Sequence, residues 1–145
     1  MIVSKLEAAQ SVSFWNTFEP GVQEIFLLSE GKFGWQPADV FRALKGKEAQ
    51  ACFVYDGEDR VGWMIYRYLF GPDRQPFLHL WLLWGDPKRR GKLKEVEKFC
   101  AEWLGREAKK HNCKYVEADS NRLGWMRDAP KVGFKPHRMV YRMEV

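Results

Sequence analysis

The sequence contains no apolar run long enough to span a membrane and no internal repeat. It has three cysteines, Cys52, Cys100 and Cys113, and none stands in a C-x-x-C pair. That spacing suggests neither a zinc site nor a disulfide framework, and reduced thiols are expected. Histidine is equally scarce, with only His79, His111 and His137. The opening "MIVSKLEAAQ" lacks the apolar core of a signal peptide, so a cytoplasmic location is expected. No Pro/Gly-rich linker interrupts the 145 residues, and residues 1–145 read as a single domain.

Aromatic side chains and unevenly distributed charge are plentiful. There are seven Trp and ten Phe, and such side chains fill cores and line concave sites. The net charge is +5, but residues 1–87 carry 8 basic and 11 acidic residues, while residues 88–145 carry 16 basic and 8 acidic. A basic C-terminal half suits an anionic partner, either nucleic acid or a phosphorylated small molecule. The basic residues are densest in "WGDPKRRGKLKEV", where five of the seven residues from Lys88 to Lys94 are basic.

The pattern predicts a first strand in "MIVSKL" and two short helices in "SVSFWNTF" and "PGVQEIFLLSEG", with Pro20 opening the second. A third helix is expected in "QPADVFRALKG", between Pro37 and Gly46. "QACFVYD" and "RVGWMIYRYL", joined by "GED", read as a hairpin. "FLHLWLLW", residues 77–84, is apolar on both faces except at His79, as a strand covered on both sides would be. From Lys92 to His111 the apolar residues follow a helical stripe. "KYVEADS" reads as a strand, "NRLGWMRDAPK" as a short helix, and "GFKPHRMVYRMEV" as a closing strand. The order predicts an α/β fold, an α+β three-layer sandwich, in which strands 77–84 and 114–120 are parallel neighbours joined by the long helix.

These pieces in this order resemble the GNAT (N-acetyltransferase) superfamily, in particular the compact members common in bacteriophage genomes. The resemblance runs from about Ala49 to Val145 and rests on "VYDGEDRVGWMIY", "LWLLWGDPKRRGKLKEV", "CKYVEADSN" and "GWMRDAPKVGFKP". It implies a mixed sheet whose two central parallel strands, 77–84 and 114–120, splay apart, and it implies acetyl-CoA as cofactor. In the family, a Q/R-x-x-G-x-G/A loop turns its backbone N–H groups to the coenzyme pyrophosphate at a helix N-terminus. By that likeness Trp84, Lys88, Arg89, Arg90, Gly91, Lys92, Leu93 and Asn121 are the expected cofactor-binding residues. Two registers remain open. One places Lys88 at the Q/R position and Leu93 at the last glycine. The other places Arg90 at the Arg, with Leu93 and Glu95 replacing glycines.

An acceptor ammonium must lose a proton before it attacks. Glu117 and Asp119 alternate with Val116 and Ala118, so they share the face turned away from the long helix and are the expected catalytic carboxylates. His79 is a second candidate, although a lone His on an apolar strand is more often a satisfied core residue. Many family members carry a Tyr acid five residues before the Phe of the terminal Gly-Phe pair. That position here is Ala129, so any transfer is expected to be slow. Three functions remain open. The first is acetyl transfer from a coenzyme A thioester to an unidentified amine or protein acceptor. The second is a non-catalytic phage or virion protein that binds or builds. The third is nucleic-acid binding, which the alternating Glu95, Glu97, Glu102 and Glu107 disfavour. The location then follows as cytoplasm, host cytoplasm or virion, and no membrane partner is expected.

Overall fold

The computed structural model describes residues 1–120, 127–138 and 141–145; the side chain of Arg90 also lies outside what it describes. Strand β1 (Ile2–Lys5) leads into helices α1 (Ala8–Ser13), α2 (Trp15–Leu28) and α3 (Pro37–Lys45). Strands β2 (Gln50–Asp56), β3 (Asp59–Phe70) and β4 (Pro76–Gly85) follow, then a 3-10 turn over Pro87–Lys92 and helix α4 (Leu93–Lys110). Strand β5 (Val116–Ala118) and a second 3-10 turn (Ala129–Val132) complete the described elements. The sheet has the order β1-β2-β3-β4-β5, antiparallel throughout except for the parallel pair β4–β5. The expected three layers and the expected parallel neighbours are both present.

Because β4 is buried on both faces, it divides the core into two clusters. On one face Leu78 and Leu80 join Met64, Tyr66, Val96, Cys100 and Leu104 beneath α4. On the other, Leu82 joins Phe18, Val22, Val40, Phe53, Trp63 and Ile65 beneath α1–α3. Burial pushes the thiols of Cys52 and Cys100 up to about 12, so both pack as small apolar groups. Edge-on and stacked rings organise the second cluster: Phe18 stacks on Phe53 at 5.1 Å and meets Trp63 edge-on at 5.4 Å.

Two expectations are corrected. Pro20 does not open a helix; it lies inside α2, and the chain breaks instead at Phe14, where φ is −91° and ψ 10°. A proline removes one intrahelical N–H bond, and the packing that follows it offsets that loss. Gly21 brings α2 so close to the sheet that a Cβ there would stand 2.6 Å from Trp63 Cζ2 and 2.8 Å from Trp84 Cδ1. The closing strand over 133–145 is the second correction. Its described residues 133–138 and 141–145 carry no strand, so β5 is the last strand of the described sheet, and Met139 and Val140 lie outside the described residues. Pro136 has no N–H for a ladder, and the side chains of Arg138 and Arg142 donate to the Glu117 carboxylate and the Lys32 carbonyl.

Glu107, which reads in sequence as part of the charged surface of α4, is 2% exposed. It accepts from Lys5 of β1 and lies 3.4 Å from His111 Nε2 and 3.9 Å from Lys110 Nζ. Burial would raise the carboxyl, but the Lys5 ammonium outweighs it and holds the group below its ordinary range.

Gly21→Ala tests the α2–sheet contact. Helix propensity favours alanine by about 0.8–1 kcal/mol, but overpacking against two indoles costs about 1–3 kcal/mol. The expected outcome is a lower melting temperature, by roughly 2–4 °C per kcal/mol of net loss, in a thermal melt followed by circular dichroism.

Candidate active site in the β4–β5 cleft

Parallel pairing of β4 with β5 covers only Leu78–Val116, His79–Glu117 and Leu80–Ala118. Beyond Ala118 the strands part, while β4 runs on to Gly85. The register against β3 shifts where Ile65 faces Leu82 and Tyr66 faces Leu80, so Trp81 is the extra residue of a β-bulge. A bulge bends and twists its strand, and this one lies where the gap opens. The resulting cavity is about 660 Å³. Leu80 to Pro87, Leu93 and Val96 line one side, Ala118 to Ser120 the other, and Leu28 at the end of α2 and Phe33 beyond it also line the cavity.

Asp119 lines this cavity at the point of divergence. Its Oδ2 lies 3.1 Å from Nε2 of His79, which is 6% exposed, and His79 Nδ1 accepts from Arg67 Nε at 3.0 Å. The His79 hydrogen bond is the main reason the Asp119 carboxyl is held below its ordinary range, with Arg138 and Arg67 adding to it against burial. Glu117 accepts from Arg138 at 2.7 Å and is largely enclosed. Glu117 and Asp119 thus share the face away from α4, as the alternation requires, while Val116 and Ala118 pack toward the α4 cluster. His79 is a satisfied buried histidine, and it is also the direct neighbour of Asp119.

The basic turn sits between two cavity-lining residues, Pro87 and Leu93. Lys88 is exposed, and its backbone N–H bonds Asp86 Oδ1 at 3.0 Å. Arg89 and Lys92 reach back to the β2–β3 hairpin, Arg89 to Asp59 at 3.2 Å and Lys92 to Asp56 at 2.7 Å. Around Gly91 a Cβ would meet nothing within 4 Å. Leu93 folds over Gly85, its Cδ1 2.5 Å from where a Cβ on that glycine would stand. Trp84 lines the wall and stacks on Trp63 at 5.9 Å. Asn121 lies outside the described residues. Ala129 is buried, so a tyrosine ring in its place would displace core atoms.

Sequence reading missed Arg67, Glu24, Arg127 and Asp128. The last three reach the cavity through tertiary folding alone. Arg67 left one signal: after Arg60 at the strand's start, it is the one cation that interrupts the apolar and aromatic run "VGWMIYRYL". Trp35 packs edge-on against Trp81 at 6.1 Å, whereas Phe33 remains exposed.

No family model matches the chain, and no curated protein matches it in sequence. Solved structures do. A ribosomal-protein-alanine N-acetyltransferase from Brucella melitensis biovar Abortus 2308 superposes with a TM-score of 0.71 at 13% identity, over 100% of both chains. An aminoglycoside N-acetyltransferase in complex with CoA gives 0.64 at 10% identity, over 99% of both. A tetramutant of a protein from Bacillus halodurans gives 0.76 at 13%, again over the whole of both chains. The fold is GNAT-like. Within this GNAT-like fold the cleft is the gap between the splayed strands, and the basic turn stands at the start of the helix that follows β4. Among the described residues no helix is long and apolar enough to cross a membrane.

The lowered Asp119 carboxyl carries a pH signature. A depressed folded value contributes stability above the ordinary range, about 3.9, and that contribution is lost as pH falls through the lower folded value. Asp119→Asn is therefore expected to be less stable than the parent near neutrality, and the gap should close in acid below about pH 4. Urea titrations of both proteins at a series of pH values check this.

Proposed function

We propose that the protein is an acyltransferase that passes an acyl group, with acetyl-CoA as the expected donor, to an amine acceptor. One observation carries this reading: the cleft of about 660 Å³ holds a carboxylate, Asp119, where its strands part and a cation-rich turn at its other end. The residues suited to hold the coenzyme are Trp84 on the wall and Lys88, Arg89, Gly91, Lys92 and Leu93 on the turn. Arg90 and Asn121 belong to the same proposed set. The bound thioester would supply an acyl group activated toward attack by nitrogen.

The chain's own residues set the pace. Asp119 attracts the acceptor ammonium and takes its proton, directly or through water, with Glu117 beside it held by Arg138. A carboxyl held below its ordinary range is a weak base, so that proton transfer runs uphill. Ala129 stands where the family pattern has a phenolic acid, and its methyl group has no proton to give a leaving group. A missing general acid costs about 10²–10⁴-fold in rate, and slow turnover follows.

A second reading, a GNAT-like protein that binds or builds without catalysis, is favoured by the turn itself. Arg89 and Lys92 are already neutralised by Asp59 and Asp56, so an incoming pyrophosphate must compete with those carboxylates.

A thermal melt with acetyl-CoA separates the two readings. Ligand at a hundred times its dissociation constant stabilises by about 2.7 kcal/mol, a shift of several degrees at roughly 2–4 °C per kcal/mol. Gly91→Ala should fold as the parent does but lose most of that shift, since a methyl group would hold the turn's backbone off a phosphate. Asp56→Asn with Asp59→Asn should enlarge the shift by freeing two cations. A parent melt unmoved by millimolar acetyl-CoA removes the coenzyme reading. In turnover assays across a panel of amines, Asp119→Asn is expected to reduce the rate by about 10²–10⁴-fold while leaving the melt shift in place.

A further inference from the structure

Arg67 on β3, His79 on β4 and Asp119 just beyond β5 form a chain of hydrogen bonds across three adjacent strands. The register sets it up: Arg67 pairs with His79, and His79 pairs with Glu117, two residues before Asp119. An arginine side chain has donors only. His79 Nδ1, 3.0 Å from Arg67 Nε, must therefore be the unprotonated acceptor nitrogen, which places the ring hydrogen on Nε2. That hydrogen points along the 3.1 Å contact to Asp119 Oδ2, where a carboxylate accepts it. The opposite tautomer would set an N–H against the Arg67 guanidinium and a bare lone pair against the carboxylate, two repulsive contacts at a site where His79 is 6% exposed.

The guanidinium is itself fixed. Its carbon lies 3.9 Å from the centre of the Trp81 ring, so the bulge residue of β4 provides the platform on which Arg67 lies. We infer that Arg67 is a positioning residue: resting on Trp81, it fixes the Nε2–H tautomer of His79 and through it anchors Asp119 Oδ2, leaving Oδ1 for an acceptor ammonium. The bulge then has two consequences. It opens the cleft beside β5, and it seats the arginine that orients the carboxylate at the point of opening. Arg138, which holds Glu117 at 2.7 Å, keeps the neighbouring carboxylate out of this chain of bonds. The functional half of this inference rests on the acyltransferase reading; the tautomer half does not.

The experiment pairs nitrogen-15 NMR of the histidine rings with turnover in three variants. The parent should show His79 as a single Nε2–H tautomer. Arg67→Met keeps an apolar stem over Trp81 but has no donor, so the Nδ1–H form should become populated. Arg67→Lys, which retains a donor, should recover the parent spectrum at least in part. Amine turnover should fall in Arg67→Met on the order of 10–100-fold, the scale seen when a histidine loses its outer hydrogen-bond partner, with the acetyl-CoA melt shift unchanged. A parent spectrum with the proton on Nδ1 overturns the inference whether or not any variant folds. So does a folded Arg67→Met protein whose His79 spectrum matches the parent. A tautomer change in Arg67→Met, beside a parent that never turns over acetyl-CoA, supports the positioning of Asp119 and removes the acyltransferase reading alone.

Discussion

The pairing of β4 with β5 stops after Leu80 and Ala118, and the site depends on that early stop. Had the ladder continued, Asp119 and Ser120 would pair with the next residues of β4, and no cavity would form between them. The bulge at Trp81 bends β4 away at the same level. A parallel ladder needs a covered strand, and β4 has that cover, with α4 on one face and α1–α3 on the other. The two cores therefore hold β4 rigid while β5 is free to leave it. A cleft between a fixed strand and a diverging one is preformed and needs no lid to exist.

Charge is organised differently from its distribution along the chain. The basic excess of the C-terminal half does not form one open patch. Arg89 and Lys92 are matched by the hairpin carboxylates Asp59 and Asp56, and Lys110 and His111 surround the enclosed Glu107 with Lys5. Arg138 is held by Glu117, and Lys131 by Asp128. Most of these pairs are exposed and individually weak, so they are replaceable by a stronger anion. The Lys5–Glu107 pair is the exception, because it joins β1 to α4 across the core and encloses one carboxylate almost completely. Removing Lys5 would leave that carboxylate buried without its main partner, the costly half of any buried ion pair.

Much of the fold was legible in the sequence because one physical signal was strong in each element. Apolar and aromatic runs on either side of a Gly/Asp turn marked the hairpin, continuous apolarity marked β4, and the stripe from Leu93 to Ala108 marked α4, whose ends differ from expectation by one residue. The alternation of Glu117 and Asp119 with Val116 and Ala118 also gave their shared face. Errors arose where a local rule competed with packing. Pro20 read as a helix start, yet the contact of Gly21 with two indoles keeps α2 continuous around it. Met139, Tyr141, Met143 and Val145 read as a strand face, yet Pro136 and the bonds of Arg138 and Arg142 leave the described part of that segment outside the sheet.

By itself the sequence determined the layers, the parallel pair and the order of elements, since periodicity and crossover length depend only on which residues follow which. Tertiary structure alone decided what the polar groups do. Arg67, His79 and Asp119 are separated by 12 and 40 residues in the chain, and only the strand register makes them one hydrogen-bonded row. Likewise, no pattern in "PKRRGK" shows that its cations face Asp56 and Asp59, because the partners of a charge are set by distances the fold creates.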